Sequence, residues 1–177
     1  WKHRLDDDSV PLIGRKEEMR SLWKSWRSGK TENSRISQVV HVVGEPGSGK
    51  SKLLQAFLAK VKESDGNVPI VTLAGSNYGR QPGLLLHELT AECIKARIVI
   101  PGAPAGRLEH VQDLLGRLAS QGPSVLIIDD IHWADRQSIA LLGRAFKRLP
   151  PGLMVVASYR PSGSRLARLL EVPQAQR

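Results

Sequence analysis

The stretch QVVHVVGEPGSGKS, residues 38–51, joins a β-branched run to a glycine-rich turn. The run over 38–43 is too continuously apolar for a strand with one wet face, so it predicts a central parallel strand covered on both sides. Gly44–Ser51 then matches G-x-x-x-x-G-K-[ST] at every fixed position. Glycines let the backbone curl around an anion so that successive N–H groups point inward, and the following helix adds the positive end of its dipole. The stretch therefore predicts a phosphate-binding loop, in which Lys50 bridges the β- and γ-phosphates and the Ser51 hydroxyl ligates Mg²⁺.

The composition bounds the class of protein. The chain has 177 residues, of which 41% are hydrophobic and 24% charged, as in an ordinary globular domain and unlike a fibrous or disordered chain. A single cysteine, Cys93, excludes an internal disulfide, and no apolar run approaches the roughly 18 residues that span a bilayer. We therefore predict one domain over residues 1–177, a cytoplasmic location and no membrane partner. The first residue is not methionine, which favours a piece of a longer protein.

Strand and helix patterns alternate along the chain. Met19, Leu22, Trp23 and Trp26 follow one helical stripe, which predicts an N-terminal helix over about 15–28. Further helical stripes occupy residues 53–61, 86–93, 111–118 and 139–149, with a last basic helix over 164–170, and short strands are predicted at 68–73, 125–128 and 153–157. Asp135 is a predicted N-cap. The alternation predicts an α/β fold in which helices cover both faces of a parallel sheet.

Two adjacent carboxylates, Asp129 and Asp130, follow the apolar strand at 125–128 directly. In an open α/β sheet this strand end faces the ligand crevice, and unpaired charges cannot fill a core. Asp129 is therefore predicted to hold Mg²⁺ through its water shell, with Asp130 placed to polarise the attacking water. The competing interpretation is that Asp130 only hydrogen-bonds a loop.

Arg160 follows the last predicted strand at the same edge of the sheet. A cation there could sense or stabilise the γ-phosphate, and its alternative role is to pair with Asp129 or Asp130.

The formal net charge is +9, and residues 144–177 hold seven basic residues against one acid, Glu171. A basic tail is compatible with a nucleic-acid partner, but no aromatic residues interleave with it as stacking platforms would, which favours a solvated surface.

Three segments together resemble a known family. LIGRKEEM at 12–19 resembles the N-terminal motif of AAA-type ATPases related to the origin-recognition complex and to STAND signalling ATPases. IDDIHWAD at 128–135 resembles the Walker B motif of STAND-type regulators, including large ATP-binding LuxR-family regulators, and VVASYRP at 155–161 is similar to their sensor segment. With Walker A at 44–51 and Walker B at 125–130, the similarity spans roughly residues 10–162.

The resemblance implies a role for individual residues. Asp130 occupies the position of the family's catalytic acid, and Arg160 occupies that of its first sensor. Lys50, the lysine of the phosphate-binding loop, is the third predicted catalytic residue. Asp129 becomes the Walker B carboxylate, which shares Mg²⁺ with Ser51. The predicted ATP-binding residues are Ile13, Gly14 and Arg15 beside the adenine, and Gly44, Glu45, Pro46, Gly47, Ser48, Gly49, Lys50, Ser51 and Lys52 around the phosphates.

The resemblance also implies a three-layer P-loop core. The family's strand order is 5-1-4-3-2, but no apolar run follows residue 170 to supply a fifth strand, and no helical lid follows. We therefore expect the order 1-4-3-2, an exposed edge on the strand at 39–43, and a chain truncated before the lid.

Three functions fit these observations. The leading hypothesis is the ATP-binding and slowly hydrolysing switch core of a larger signalling or transcriptional regulator, whose partners are ATP, ADP and further domains or a protein. A DNA-associated ATPase of the replication-initiator type is compatible with the basic tail, although no DNA-binding motif is present. A nucleotide-binding scaffold without turnover is the third.

Overall fold

A parallel β-sheet between two layers of helices forms the centre of the molecule. The computed structural model describes residues 14–30, 37–75, 81–98 and 107–161. The strands are β1 (Gln38–Val43), β2 (Ile70–Ala74), β3 (Ser124–Asp129) and β4 (Leu153–Tyr159). The helices are α1 (Lys16–Ser28), α2 (Lys50–Ser64), α3 (Leu84–Lys95), α4 (Leu108–Ser120) and α5 (Arg136–Phe146), with a 3₁₀ turn at Ile131–Trp133. The strand order β1-β4-β3-β2 confirms the predicted order 1-4-3-2.

The two faces of the sheet pack against different helices. Alternate residues of a strand point to opposite faces, so Val125 and Ile127 of β3 belong to the core beneath α1 and α2. Leu126 and Ile128 belong to the core beneath α3, α4 and α5. Every residue of β3 and β4 is buried, which explains their continuous apolar sequences.

The prediction that β1 is a central strand is wrong for the described residues, although β1 is covered on both faces of the sheet: Val39 packs against one core, and Val40 and Val42 against the other. Among them, β1 pairs with β4 alone and lies at the edge of the sheet. Its first four residues are only half-buried, and Val43 is 46% exposed. The apolar run indicated a parallel strand, but the run alone does not determine how many neighbours a strand has.

Helix α1 is attached to α2 through the predicted apolar stripe. Leu22 and Trp26 are buried, while Met19 and Trp23 pack against the same core. At the far end of α2, Lys30 forms an ion pair with Asp65. The hydrogen bond from Lys30 lowers the pKa of the Asp65 carboxyl, against the opposing effect of burial. The stripe and the ion pair together hold α1 along the helix that follows the glycine-rich turn.

Asp135 connects two helices that are distant in sequence. One carboxylate oxygen accepts hydrogen bonds from the Ser138 backbone N–H at 2.8 Å and the Gly83 N–H at 2.9 Å, and the other accepts from the Ser138 hydroxyl at 2.6 Å. The first bond confirms the predicted N-cap of α5, and the bond to Gly83 ties that cap to the start of α3. Burial alone would raise the pKa of Asp135, but these hydrogen bonds outweigh it and the pKa is lowered.

Some predictions fall on residues outside the described ranges. These are the helix over 164–170, three of the seven C-terminal basic residues (Arg165, Arg168 and Arg177), and the segment after residue 170 that bears on a fifth strand. Within the described part of the chain, no helix has both the length and the apolar character needed to cross a membrane.

We expect Asp135→Asn to lower the free energy of unfolding by about 1–3 kcal/mol at pH 7, because charge-assisted bonds to buried donors are weakened. A carboxyl with a lowered pKa stabilises the fold above its unfolded pKa, about 3.9, and this stability is lost as the pH falls further. The difference between the variant and the wild type should therefore shrink below about pH 4.

Urea unfolding at several pH values measures this difference. Asp113→Asn is the matched control, because Asp113 lies on the surface of α4 and only pairs with Arg117 at 2.8 Å. It should cost less than about 1 kcal/mol. Equal losses in the two variants at pH 7 would contradict the role given to Asp135.

Candidate functional site

The glycine-rich turn leaves β1 and leads directly into α2. Gly47 and Gly49 have positive φ angles of 76° and 79°, a conformation that side chains with a Cβ rarely adopt. Gly44 lies so close to Ser48 that a Cβ there would approach the Ser48 Oγ to 2.6 Å. The backbone path of the turn thus requires glycine at 47 and 49, whereas a Cβ at Gly44 would displace the Ser48 hydroxyl.

The Lys50 side chain folds back over the turn. Its Nζ donates hydrogen bonds to the carbonyl oxygens of Gly44 at 2.8 Å and Glu45 at 3.1 Å, and the residue is only 6% exposed. Among the described residues no carboxylate lies within ion-pair distance of this ammonium group. A buried cation that has only carbonyl partners favours an anion as its neighbour.

The backbone amides at the start of α2 also lack acceptors within the helix. Among the described residues, the first backbone hydrogen bond of the helix runs from the Leu53 N–H to the Gly49 carbonyl oxygen, at 2.9 Å. The N–H groups of Lys50, Ser51 and Lys52 precede it, and they carry the positive end of the helix dipole. This end of α2 therefore suits an anionic group.

The structure brings the two predicted metal ligands together. The Ser51 hydroxyl donates a hydrogen bond of 2.6 Å to Oδ2 of Asp129, across 78 residues of sequence. Asp129 is the last residue of β3, and Ser51 is in the first turn of α2. The segments at 44–51 and 125–130 therefore share one end of the sheet, as predicted.

The Asp129 carboxylate is fully buried. Its second oxygen, Oδ1, accepts a hydrogen bond from the Ser158 hydroxyl of β4 and one from the Asp130 backbone N–H at 3.1 Å. The Ser158 hydroxyl in turn accepts a bond of 2.8 Å from the same Asp130 N–H. Hydrogen bonds alone thus satisfy this charge, because no cationic side chain of the described residues pairs with it.

Asp130 turns the chain sharply after β3. Its φ of 51° is in the left-handed region, which is uncommon for a residue with a Cβ. Its backbone N–H is fixed by Asp129 and Ser158, whereas its side chain is 34% exposed. The left-handed turn separates the two carboxylates: the first is buried and the second faces partly into solvent.

Gly75, directly after β2, makes this turn possible. Its N–H donates a 2.8 Å bond to the Asp129 carbonyl. A methyl group on Gly75 would overlap the carbonyl group of Asp130 and lie 3.2 Å from the Cβ of Trp133. Only a glycine fits between β2 and the left-handed turn.

Arg160, at the end of β4, lies over an aromatic ring and not beside a carboxylate. Its guanidinium carbon is 5.2 Å from the centroid of the Trp133 ring. In the described part of the chain no ion pair joins it to Asp129 or Asp130, so the alternative role of pairing with them is not observed. Trp133 thus contacts both Arg160 and the His132 ring.

Arg15 links the N-terminal segment to the glycine-rich turn. Its guanidinium donates a hydrogen bond to the Ser48 carbonyl and lies 3.5 Å from the Glu18 carboxylate. Gly14 is exposed and has a φ of 78°. Ile13, the third residue expected beside the adenine, is outside the described residues. The structure therefore places Arg15 against the turn.

The remaining predicted residues surround the turn in different ways. Glu45, Pro46 and Gly47 are exposed at its tip, and Lys52 is half-buried in the first turn of α2. Sequence reasoning gave no role to Ser158, Gly75 or His132, although all three lie at this end of the sheet. The sequence offered one indication of a role for Ser158: it places a hydroxyl group within the mostly apolar strand β4.

The chemistry of these groups fits a nucleotide with a divalent cation. A hydroxyl and a carboxylate oxygen are the hard ligands that Mg²⁺ prefers, and Ser51 and Asp129 present them 2.6 Å apart. The buried Lys50 ammonium and the amides of α2 supply the positive surface that phosphates require.

The fold and this arrangement define a P-loop ATPase of the α/β class. The sequence profile of the AAA ATPase domain matches residues 11–156, so the chain belongs to that family. Nucleotide binding is the property that this family implies.

Solved structures show the same fold at low sequence identity. Cdc6p from Pyrobaculum aerophilum is similar with a TM-score of 0.68 and 15% identity, over 96% of this chain and 47% of that one. A Drosophila ORC bound to AT-rich DNA and Cdc6 contains a chain with a TM-score of 0.51 and 19% identity, over 89% of this chain and 53% of that one. This chain therefore spans about half the length of the archaeal Cdc6p chain. No curated protein gave a significant match.

We expect Gly75→Ala to destabilise the fold by about 1–3 kcal/mol, because the added methyl group displaces the backbone of Asp130. Gly116→Ala is the control: Gly116 lies within α4, and a Cβ there meets no atom within 4 Å. The control should be stabilised by about 0.5–1 kcal/mol, since alanine favours a helix over glycine.

Denaturant unfolding of both variants gives the two free energies. Changes of the same sign in the two variants would contradict the close approach of Gly75 to the Asp130 turn.

Proposed function

We propose that this chain is the ATP-binding and slowly hydrolysing switch core of a larger signalling or transcriptional regulator. The observation that carries the proposal is the 2.6 Å hydrogen bond between Ser51 and Asp129. It joins the glycine-rich turn to the acidic strand end, so that phosphate-binding and metal-binding groups can act on one ligand. A single core over residues 1–177 and a cytoplasmic location are parts of the same proposal.

The residues divide into binding and reacting groups. In this proposal the turn 44–49 and the amides of α2 surround the phosphates, and Lys50 exchanges its two carbonyl partners for phosphate oxygens. Ser51 and Asp129 hold Mg²⁺, which when bound neutralises charge on the β- and γ-phosphates. Arg15, with Gly14 and Ile13, lies on the adenine side.

Asp130 and Arg160 complete the site. The partly exposed carboxylate of Asp130 accepts a hydrogen bond from the attacking water, which orients and polarises it. Arg160 senses the γ-phosphate from the end of β4, after leaving the Trp133 ring. An aspartate reaches about one methylene less far than a glutamate, which is the reason to expect slow turnover.

The regulatory part of the proposal comes from residues 128–135. The sequence IDDIHWAD resembles the motif of STAND-type regulators, whose conformation is switched by bound ATP. The Asp135 cap ties the same segment to the start of α3 through Gly83, so a change at the strand end has a direct route to another helix. Further domains or a protein partner would supply the output.

A DNA-associated ATPase of the replication-initiator type is the second candidate. The specific observation in its favour is the similarity of the fold to Cdc6p and to a chain of a Drosophila ORC that is bound to DNA. Affinity of this chain for DNA that weakens as salt rises would favour this candidate. A third candidate, a nucleotide-binding scaffold, would bind ATP without releasing phosphate.

We expect Mg²⁺–ATP to stabilise the wild-type chain by about 2.7 kcal/mol at 100 times the Kd, a rise in melting temperature of roughly 5–10 °C. Lys50→Ala should abolish this rise, because the buried ammonium that faces the phosphates is removed. Thermal unfolding with and without nucleotide measures both.

Lys62→Ala is the control for lost charge, since Lys62 is exposed near the end of the same helix. It should keep the full rise in melting temperature. An unchanged wild-type melting curve at millimolar nucleotide would overturn the proposed site.

We expect Asp130→Asn to bind ATP as the wild type does and to release phosphate about 10²–10⁴-fold more slowly, because an amide cannot take up a proton. Phosphate release and the ATP-dependent thermal shift, measured on the same preparation, separate the two effects. Equal rates in the variant and the wild type would contradict a catalytic role for Asp130. A wild type that binds ATP without turnover would favour the scaffold.

A further inference from the structure

The two ring nitrogens of His132 are buried beside the proposed site without a hydrogen-bond partner among the described residues. Its side chain is 13% exposed, and neither Nδ1 nor Nε2 bonds to any of the described residues. A buried polar atom that forms no hydrogen bond costs about 1–3 kcal/mol. Two such atoms on one ring need a reason other than the stability of the fold.

The neighbour of Nδ1 is the carboxylate of Asp130. Nδ1 lies 3.8 Å from Oδ1 of Asp130, beyond hydrogen-bond distance by less than 1 Å. The Asp130 backbone is held by Ser158 and Asp129, whereas no described hydrogen bond holds its side chain. A small rotation of that carboxylate would bring it onto the imidazole.

The surroundings keep the ring neutral. Burial lowers the pKa of His132, Asp130 opposes this effect, and Arg160 and Lys50 add to the lowering. A neutral imidazole has one N–H donor and one acceptor nitrogen. With the proton on Nδ1, the ring can donate to the Asp130 carboxylate without adding a charge to the site.

The His132 ring also contacts a neighbouring aromatic ring. The Trp133 ring lies 5.1 Å from the His132 ring at an angle of 39°, and Trp133 in turn contacts the Arg160 guanidinium. A chain of contacts therefore runs from Asp130 through His132 and Trp133 to Arg160.

We infer that His132 is a positioning residue, whose Nδ1–H hydrogen-bonds the Asp130 carboxylate and directs it toward the glycine-rich turn. The inference rests on the proposed function, because it concerns the group that orients the attacking water. His132 itself touches neither nucleotide nor metal in this account.

Three substitutions separate positioning from packing. The amide nitrogen of asparagine can take the place of Nδ1, that of glutamine reaches the place of Nε2, and phenylalanine fills the space without a donor. We expect His132→Asn to keep kcat within about threefold of the wild type, and His132→Gln and His132→Phe to lower it by about 10-fold to 100-fold. KM for ATP and the ATP-dependent thermal shift should stay unchanged in all three.

Stability gives an independent readout. Without nucleotide, His132→Phe should melt at or above the wild-type temperature, because it removes two ring nitrogens that form no hydrogen bond to the described residues. In an Asp130→Asn background, His132→Phe should lower the residual rate no further, since both changes act on one carboxylate. If His132→Phe does not fold, the comparison of His132→Asn with His132→Gln still tests the inference.

Each result has one interpretation. Equal kcat values for His132→Asn and His132→Gln, or an unchanged kcat in His132→Phe, would overturn the positioning role while the proposed function stands. Loss of the ATP-dependent thermal shift in the wild type would instead overturn the proposed function, and the inference would fail with it. If the wild type binds ATP but releases no phosphate, the proposed hydrolysis and this inference are both overturned. The proposal that the chain binds a nucleotide then still stands.

Discussion

The Asp129 carboxylate has no exposed surface, and the arrangement of the site depends on how its charge is satisfied. A buried charge is tolerated only where hydrogen bonds or an opposite charge replace water. Here the donors are the hydroxyls of Ser51 and Ser158 and the backbone N–H of Asp130. They come from the segments that contain or follow β1, β3 and β4, so one carboxylate holds three parts of the chain at the same end of the sheet.

The two buried charges of the site are kept apart. Lys50 is held by carbonyl oxygens of the turn and Asp129 by hydroxyls and an amide, and no described ion pair joins them. Removing one partner of a buried ion pair is costly, so a lysine paired with Asp129 would have to give up that stabilisation to bind a phosphate. Carbonyl partners are easier to exchange, which supports the proposal that Lys50 binds an anion and Asp129 a cation.

The segment at 128–135 performs two tasks within eight residues. Asp129 accepts a hydrogen bond from Ser51 at the start of α2, whereas Asp135 caps α5 and bonds the Gly83 N–H at the start of α3. The left-handed turn at Asp130 separates these tasks, and Gly75 leaves the space for it. The structural aspartate and the two aspartates of the proposed site are distinguishable only by their partners.

The sequence by itself determined the features that depend on neighbours along the chain. The glycines of residues 44–51, the stripe of α1 and the Asp135 cap follow from backbone conformation and helical spacing, and the structure confirms each of these elements. The pairing of Ser51 with Asp129 was predictable as well, because strand ends of a parallel sheet meet at one edge. The strand order was expected from the resemblance to a family and not from any periodicity.

Only the tertiary structure decided the bonds of Ser158, the close approach of Gly75 and the environment of His132. Each of these depends on which strands become neighbours and on distances of a few ångströms between residues far apart in sequence. A hydroxyl, a glycine or an imidazole has the same appearance in a sequence whether it lies in solvent or against a buried carboxylate. The local pattern therefore predicted the candidate site, and packing determined which further residues lie against it.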